Sequence, residues 1–388
     1  MGEKDNKKKA LMVSSVASMV ECFNRENIRI LLDIGYEVSV ATNFMKGNPI
    51  SATRVQKLRE DLKSWGVGMY QIDFSRKIIN LPAHMKAYRQ MKKVLKNDFS
   101  LIHCHSPIGG VISRLTAKPY RKLKMTRVLY TAHGFHFYQG SPKINWWIYH
   151  TIEKKLSKDT DVLITINQED YQLAKNTFSS KKTCYVPGIG IDVEKIIAVK
   201  NKREEIRKEL DIPLSSILIL SVGELNKNKN HIDVIRALGI MKEYDFHYVI
   251  CGVGELHTFL QKEVDKVGLK DRVHLTGYRK DIIEVMKSAD IFVFPSLREG
   301  LSVSLMEAMV CGLPVVCSKI RGNVDLIEEN KGGRVVDKKN TTALKNAILE
   351  LLIDENKREK MREYNKKKIA ANSRVTVVER MNDIYKAV

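Results

Sequence analysis

Two carboxylates eight positions apart, Glu299 and Glu307, bracket a short apolar run in the stretch REGLSVSLMEAMVCGLPVV, residues 298–316. An apolar run, 291–295, precedes them; Gly312, Pro314 and another apolar run follow. A carboxylate accepts two hydrogen bonds and so suits a vicinal diol such as a ribose or a hexose. If a helix begins near Ser302, the backbone N–H groups of Gly300, Leu301 and Ser302 form an anion site at its tip, and Gly300 lets a phosphate or sugar approach closely. Glu299 then lies in the loop, and Glu307 lies just over one turn into the helix. Carboxylates on either side of an anion site would bind a nucleotide sugar. In the competing reading Glu299 merely favours the helix dipole and Glu307 is an ordinary helix residue. Spacing alone leaves both open.

Two more segments could reach the same place. In GELNKNKNH, 223–231, Gly223 permits a tight turn at a strand end, and Lys227 and Lys229 stand just before the next helix. Cations beside a helix N-terminus make a diphosphate clamp; a solvated polar loop is the alternative. The GxG of CGVGE, 251–255, is unspecific and fits a plain turn. His103 and His105 share one face of a strand, and His133 and His136 end another apolar run. A zinc site is disfavoured, because structural sites usually bring cysteines and catalytic ones a carboxylate, neither of which is evident here. Packing suits His103, and a place lining a cleft suits His133.

The elements that must position these residues alternate between short apolar runs and helix-length segments. Candidate strands are Ala10–Val16, Glu37–Thr42, Leu101–His105, Arg127–Ala132, Asp161–Ile166, Ser216–Val222, His247–Cys251, Val273–Thr276, Ile291–Pro295, Pro314–Ser318 and Gly333–Val336. Helices are expected over Pro82–Lys96 and His231–Lys242, among others. The alternation predicts an α/β chain of parallel sheets covered by helices. Strands without period-2 alternation agree, since both faces would be buried. A chain of 388 residues is long for one core. The Pro/Gly-bearing stretch YVPGIGIDVEKI, 185–196, marks the break. Two doubly wound domains are therefore expected, residues 1–190 and 191–374, followed by an amphipathic C-terminal helix over 375–388 that could pack on either.

Composition adds limits. Six scattered cysteines without a CxxC read as a reduced, intracellular chain. No run approaches the length of a spanning helix, and the basic start followed by a short apolar stretch reads as a first strand rather than a signal peptide. The net charge is +21, and residues 51–150 hold 18 Lys+Arg against 4 Asp+Glu. One-sided basicity attracts a nucleic acid, an anionic membrane surface or a phosphorylated substrate; solubility is the bland alternative. In 79–97 apolar residues recur at helical spacing, at Leu81, Met85, Tyr88, Met91 and Leu95, which usually means core packing. The basic residues around them, with Arg114, Lys118, Arg121, Lys122 and Lys124, also suit an anionic membrane. Trp65, Trp146 and Trp147 are read first as core residues. A nicotinamide-dependent oxidoreductase is disfavoured, since residues 13–18, VSSVAS, carry no glycine for a GxGxxG fingerprint. A nucleic-acid binder lacks a zinc finger or RNP-like aromatic motif.

The stretch EGLSVSLMEAMVCGLPVV, with seven residues between its glutamates, resembles the EX7E motif of glycosyltransferase family 4, retaining enzymes of GT-B architecture. SVGELNKNKN, YRKDI, ADIFVFPSLREG and SKIRGNVDLIE are also similar to that family. LIHCHSP, 101–107, and YTAHGFHFYQG, 130–140, resemble a subset that builds bacterial exopolysaccharide and other surface glycans. The resemblance runs nearly end to end. It implies two Rossmann-like domains facing a cleft, and transfer of a hexose or N-acetylhexosamine from a UDP-sugar, with no cofactor and no metal. The acceptor would be a lipid-diphosphate-linked saccharide, and the enzyme would be cytoplasmic, peripheral at the inner face of the membrane, with no nucleic-acid partner. A GDP- or other NDP-sugar with a soluble acceptor is the alternative. Position by position, Glu307 would hold the ribose hydroxyls, Glu299 the donor sugar, and the amides of Gly300, Leu301 and Ser302 the sugar and phosphate. Lys229 would neutralise the diphosphate after the turn at Gly223, His133 would contact the donor sugar, and Tyr278 and Arg279 would lie near the base. Ser15 and His105 would fall on the acceptor side. Two departures stand out. Glu224 occupies a position where many members carry arginine, so the clamp rests on Lys229, with Lys227 or Arg298 as further cations. After the first strand, VSSVASMVECFN has Ser14 and Ser15 where many members have glycines.

Overall fold

The computed structural model describes residues 7–105, 107–123 and 125–388. Among them the strands form two sheets, one of seven strands and one of six, and every pairing is parallel. The first comprises β1 (Lys9–Val13), β2 (Glu37–Thr42), β3 (Gly68–Gln71), β4 (Leu101–His105), β5 (Arg127–Ala132), β6 (Val162–Thr165) and β7 (Lys182–Tyr185), in the order β3-β2-β1-β4-β5-β6-β7. The second comprises β8 (Ile217–Val222), β9 (Phe246–Cys251), β10 (Val273–Gly277), β11 (Ile291–Phe294), β12 (Val315–Ser318) and β13 (Gly333–Val336), in the order β10-β9-β8-β11-β12-β13. In both sheets the order reverses beside the first strand, the crevice where open α/β sheets place their ligands.

The central strands read as unbroken apolar runs because both faces are covered. Along β1, Ala10 and Met12 enter one core while Leu11 and Val13 enter another. Along β8, Leu218 and Leu220 face one core and Ile219 the opposite one. Each buried Leu, Ile, Val or Met side chain contributes roughly 1.5–3 kcal/mol of burial. The strands β3 and β7 are absent from the sequence expectation. Both are four-residue edge strands, half-buried or exposed at every position, and therefore carry no apolar run.

The chain divides into two compact units, residues 1–189 with 375–388, and residues 190–374. The C-terminal helix Arg374–Lys386 supplies Val377, Met381, Ile384 and Tyr385 to the core of the first unit, at the spacing of one helix face. Within the second unit its two ends run side by side. Ile191 bridges Ser373, and a Cβ on Gly190 would sit 2.6 Å from Arg374 Cα.

The basic surface drawn from 79–124 needs correction. Arg114 is buried and paired with Glu153 at 2.8 Å, its guanidinium stacked on Tyr130 at 3.9 Å. Arg121 is held by Asp161 at 2.9 Å, and Lys118 lies 3.6 Å from Asp159. These cations answer carboxylates of their own unit, so they do not present free charge. Lys124, like Ser106 of the LIHCHSP stretch, lies outside the described residues. The helix Leu81–Val94 packs through Ala87, Met91 and Val94, with Leu95 following in a short 3-10 turn, whereas Leu81 and Met85 stay exposed. Trp65 stacks between Arg25 and Arg29, Trp146 packs on Phe137, and Trp147 is exposed. No helix among the described residues is long and apolar enough to cross a membrane.

Candidate active site

The chemistry-bearing loops of the second unit gather at the carboxyl ends of β8 and β11. After β11 the helix Val303–Val310 is capped by Ser302, whose Oγ accepts from Leu305 N at 3.4 Å. The amides of Gly300, Leu301 and Ser302 donate to no described residue, which leaves three unused donors at the helix tip. Gly322, at φ +79°, seats the next loop directly on this tip. A Cβ there would fall 2.1 Å from Gly300 O, and only glycine combines that contact with that backbone angle.

The loop after β8 is tied to the same place. Leu297 N donates to Asn228 O at 2.8 Å, and Asn228 Nδ2 donates to Arg298 O at 3.0 Å. Lys229 then reaches across: its Nζ lies 2.7 Å from Glu299 Oε1 and 4.8 Å from the centre of the Phe294 ring. Gly223 makes room for that reach, since a Cβ there would approach Lys229 Cδ to 3.1 Å. The GxG of 252–254 is a backbone spacer. A Cβ on Gly252 would meet Gly223 O at 1.9 Å, and one on Gly254 would meet Leu225 O at 2.4 Å. These glycines let the β9 loop pack main chain to main chain against the loop that carries Lys229.

Glu307 is half-buried on the Val303–Val310 helix, and burial alone pushes its carboxyl up to about 7. No cation among the described residues offsets that desolvation, so this group has no counter-charge there. His231, which the sequence reading did not single out, opens the helix His231–Gly239 and is buried. Burial, and then Lys229, push it down to about 4, so it is neutral. The only sequence signal was its place directly after the lysine loop.

The remaining expected ligands are dispersed. Glu224, Lys227 and Arg298 are exposed. Tyr278 is 71% exposed and free to stack. Arg279 is engaged: Asp281 accepts from Nε at 2.9 Å and Glu209 accepts from Nη2 at 3.1 Å. In the first unit Ser15 is buried, and its Oγ accepts from Gly109 N at 3.0 Å, near the start of the helix Pro107–Leu123. It lines a cavity of about 400 Å³ with Val16, Met19, Phe23, Ile108 and His136. His133 is half-buried, its ring edge-on to Phe23 at 5.2 Å. His105, expected on the acceptor side, is 1% exposed and reaches only as far as His133, 3.1 Å between Nδ1 and Nε2. His103 lies deeper, between Tyr385 and Thr131. His136 stands apart, against Tyr149. No set of three or more histidine, cysteine or acidic groups suited to a metal occurs among the described residues.

Residues 202–368 match the model for glycosyl transferases group 1, and residues 16–167 match that for glycosyl transferase 4-like domains. EpsD of Bacillus subtilis (strain 168), whose description as a glycosyltransferase is itself provisional, is 31% identical over 385 residues, covering 98% of this chain and 97% of that protein. The chain belongs to glycosyltransferase family 4. An Escherichia coli enzyme, UDP-Gal:alpha-D-GlcNAc-diphosphoundecaprenol alpha-1,3-galactosyltransferase, is 29% identical over 79% of this chain and 80% of its own. The fold is that of Anabaena HepE, solved in complex with UDP: TM-score 0.75 at 16% identity, covering 98% of this chain and all of that one. The two sheets are thus the two Rossmann-like sheets of a GT-B protein.

Proposed function

We propose that the protein transfers a hexose or N-acetylhexosamine from a UDP-sugar to a lipid-diphosphate-linked saccharide, with retention at the anomeric carbon and without a metal ion. The observation that carries this is the constellation at the tip of the helix Val303–Val310: three unused amides, Lys229 alongside, and the carboxylates of Glu299 and Glu307 flanking them. The amides and Lys229 take the diphosphate; Glu307 accepts from the ribose hydroxyls. Without ligand, Lys229 and Glu299 neutralise each other. An incoming diphosphate draws Lys229 away and leaves Glu299 to accept from the sugar hydroxyls. His133 contacts the donor sugar.

In the reaction the bond from C1 to the β-phosphate oxygen breaks, and one from C1 to the acceptor oxygen forms on the same face. The acceptor proton passes to the departing phosphate oxygen. Negative charge grows on the diphosphate as the bond opens. Preorganised amides and a lysine stabilise that charge most in the transition state, which is what accelerates the step. They supply the electrostatic role a divalent ion plays elsewhere, so activity is expected to persist in EDTA.

The relative from E. coli, by its name, uses UDP-Gal and a diphosphoundecaprenol-linked acceptor, which favours UDP and a lipid carrier here. The apolar cavity beside Ser15 suits the lipid-proximal part of such an acceptor, and Arg76 at its wall suits the adjoining diphosphate. Exposed Ile78, Ile79, Leu81 and Met85 stand near Arg76 and Lys77, and exposed Ile144 and Trp147 stand beside Lys143. Apolar and basic groups so mixed suit an anionic membrane surface, the inner face of the cell membrane where such acceptors are elaborated. A thermal-shift panel of UDP- and GDP-sugars, followed by product analysis with a diphosphoundecaprenol-linked saccharide, tests the reading. Stabilisation by GDP-sugars alone, turnover only with soluble acceptors, or an inverted anomer would each overturn the corresponding part.

A further inference from the structure

The histidines of β4 and β5 form a connected chain that the transfer reaction as described does not use. His103 is fixed at both ring nitrogens, Nδ1 2.6 Å from the Tyr385 hydroxyl and Nε2 2.8 Å from Thr131 Oγ1. Two residues on, His105 lies against it with ring centres 4.1 Å apart. His105 Nδ1 then meets His133 Nε2 at 3.1 Å, while its own Nε2 is buried with no hydrogen-bonding partner among the described residues.

That unpartnered nitrogen decides where the proton sits. Burial holds both rings neutral, His105 far below the ordinary histidine value and His133 down to about 4. Each ring therefore carries one N–H, and exactly one proton lies between His105 Nδ1 and His133 Nε2. If His133 donated it, the only N–H of His105 would be Nε2–H, a buried donor facing nothing. If His105 donates it, His105 Nε2 is a bare lone pair instead. Orphaned buried N–H groups are rarer and costlier than under-used acceptors, so the second arrangement prevails.

We infer that His105 is a positioning residue that holds His133 in the tautomer with its proton on Nδ1, so that this ring offers a sugar oxygen an N–H donor and no lone pair. His133 then acts by donating a hydrogen bond and not as a base. His105 does this from behind, its plane set by His103 and, through Tyr385, by the C-terminal helix. The functional half of this statement rests on the contact between His133 and the donor sugar proposed above; the tautomer does not.

The test uses the full chain labelled with nitrogen-15 at histidine, without ligand. Spectra are assigned by comparison with His133→Gln and His105→Asn. A pyrrole-type Nδ1 and a pyridine-type Nε2 on His133 are expected, and a protonated Nε2 on His133 overturns the inference. In parallel, release of UDP from UDP-glucose and UDP-N-acetylglucosamine is followed. Asparagine places an amide N–H near the ring Nδ1, whereas leucine places none. His105→Leu is expected to lose about ten- to a hundredfold in kcat/KM, the range for groups that orient a working histidine, and His105→Asn to recover most of it at an unchanged Tm. Full activity in His105→Leu, or equal losses in both variants at equal Tm, overturns the positioning role. Unchanged UDP release in His133→Gln would instead remove the donor-sugar contact and leave the tautomer to the spectra.

Discussion

Replacing Glu307 with glutamine should stabilise the unliganded protein at alkaline pH while weakening donor binding. The carboxyl is shifted from 4.5 to about 7 by burial alone. The folded state therefore binds the proton more tightly than the unfolded state. The stability this confers is fully present below about pH 4.5 and is lost as pH rises through about 7. Each unit of pKa corresponds to 1.36 kcal/mol, so the charged form costs at most roughly 3 kcal/mol at pH 8. Glutamine keeps the shape and removes that cost. For a unit of this size, 1 kcal/mol moves Tm by about 2–4 °C, so Glu307→Gln should melt roughly 6–12 °C above the wild type at pH 8 and level with it near pH 4.5. UDP should bind the wild type more tightly as pH rises from 6 to 8, because the ionised carboxylate accepts from both ribose hydroxyls. The variant should bind UDP more weakly, with no such slope. Differential scanning fluorimetry across pH, with and without UDP, gives both readings. A Tm difference that is flat with pH, or a variant less stable at pH 8, would refute the argument that unrelieved burial governs this group.

Other perturbations follow from single contacts. Gly252→Ala places a methyl 1.9 Å from Gly223 O; it should lower stability by several kcal/mol or displace the lysine loop and abolish UDP binding, as urea melts and calorimetry would show. Glu153→Gln strands the buried Arg114 and should cost about 3–5 kcal/mol, whereas Arg114→Met with Glu153→Leu should cost less than either single change, since both charges go together. Ile79→Glu with Leu81→Glu alters only exposed side chains; co-sedimentation with anionic vesicles should fall several-fold at unchanged Tm, and equal recovery would count against membrane docking there. Tyr385→Phe removes the hydroxyl from His103 and should cost about 1–3 kcal/mol of stability in the first unit.

Much of the fold was legible because parallel sheets write themselves as uninterrupted apolar runs. The strands β1, β5, β6, β8, β9, β11 and β12 carry such runs, whereas the edge strands β3 and β7 do not. The loops around Glu299 and Lys229 were legible for a related reason: a strand end, a glycine and a helix start are local signals. What each side chain touches was not legible. Lys227 and Lys229 look alike in GELNKNKNH, yet only Lys229 reaches Glu299, because the exchange of Asn228 with Leu297 and Arg298 turns it inward. Arg114 and Lys122 look like two basic residues of one helix, yet Arg114 faces Glu153 in the interior.

Residue type and order determined by themselves that this is a two-sheet α/β chain and that an acidic pair brackets a helix start, since periodicity and capping act within a few residues. Tertiary structure alone decided which charges meet, that Glu307 has no counter-charge among the described residues, and that His105 backs His133 across neighbouring strands, with Tyr385 bonded to His103 behind it. Desolvation and pairing depend on groups brought together from distant parts of the chain, and no local pattern encodes them.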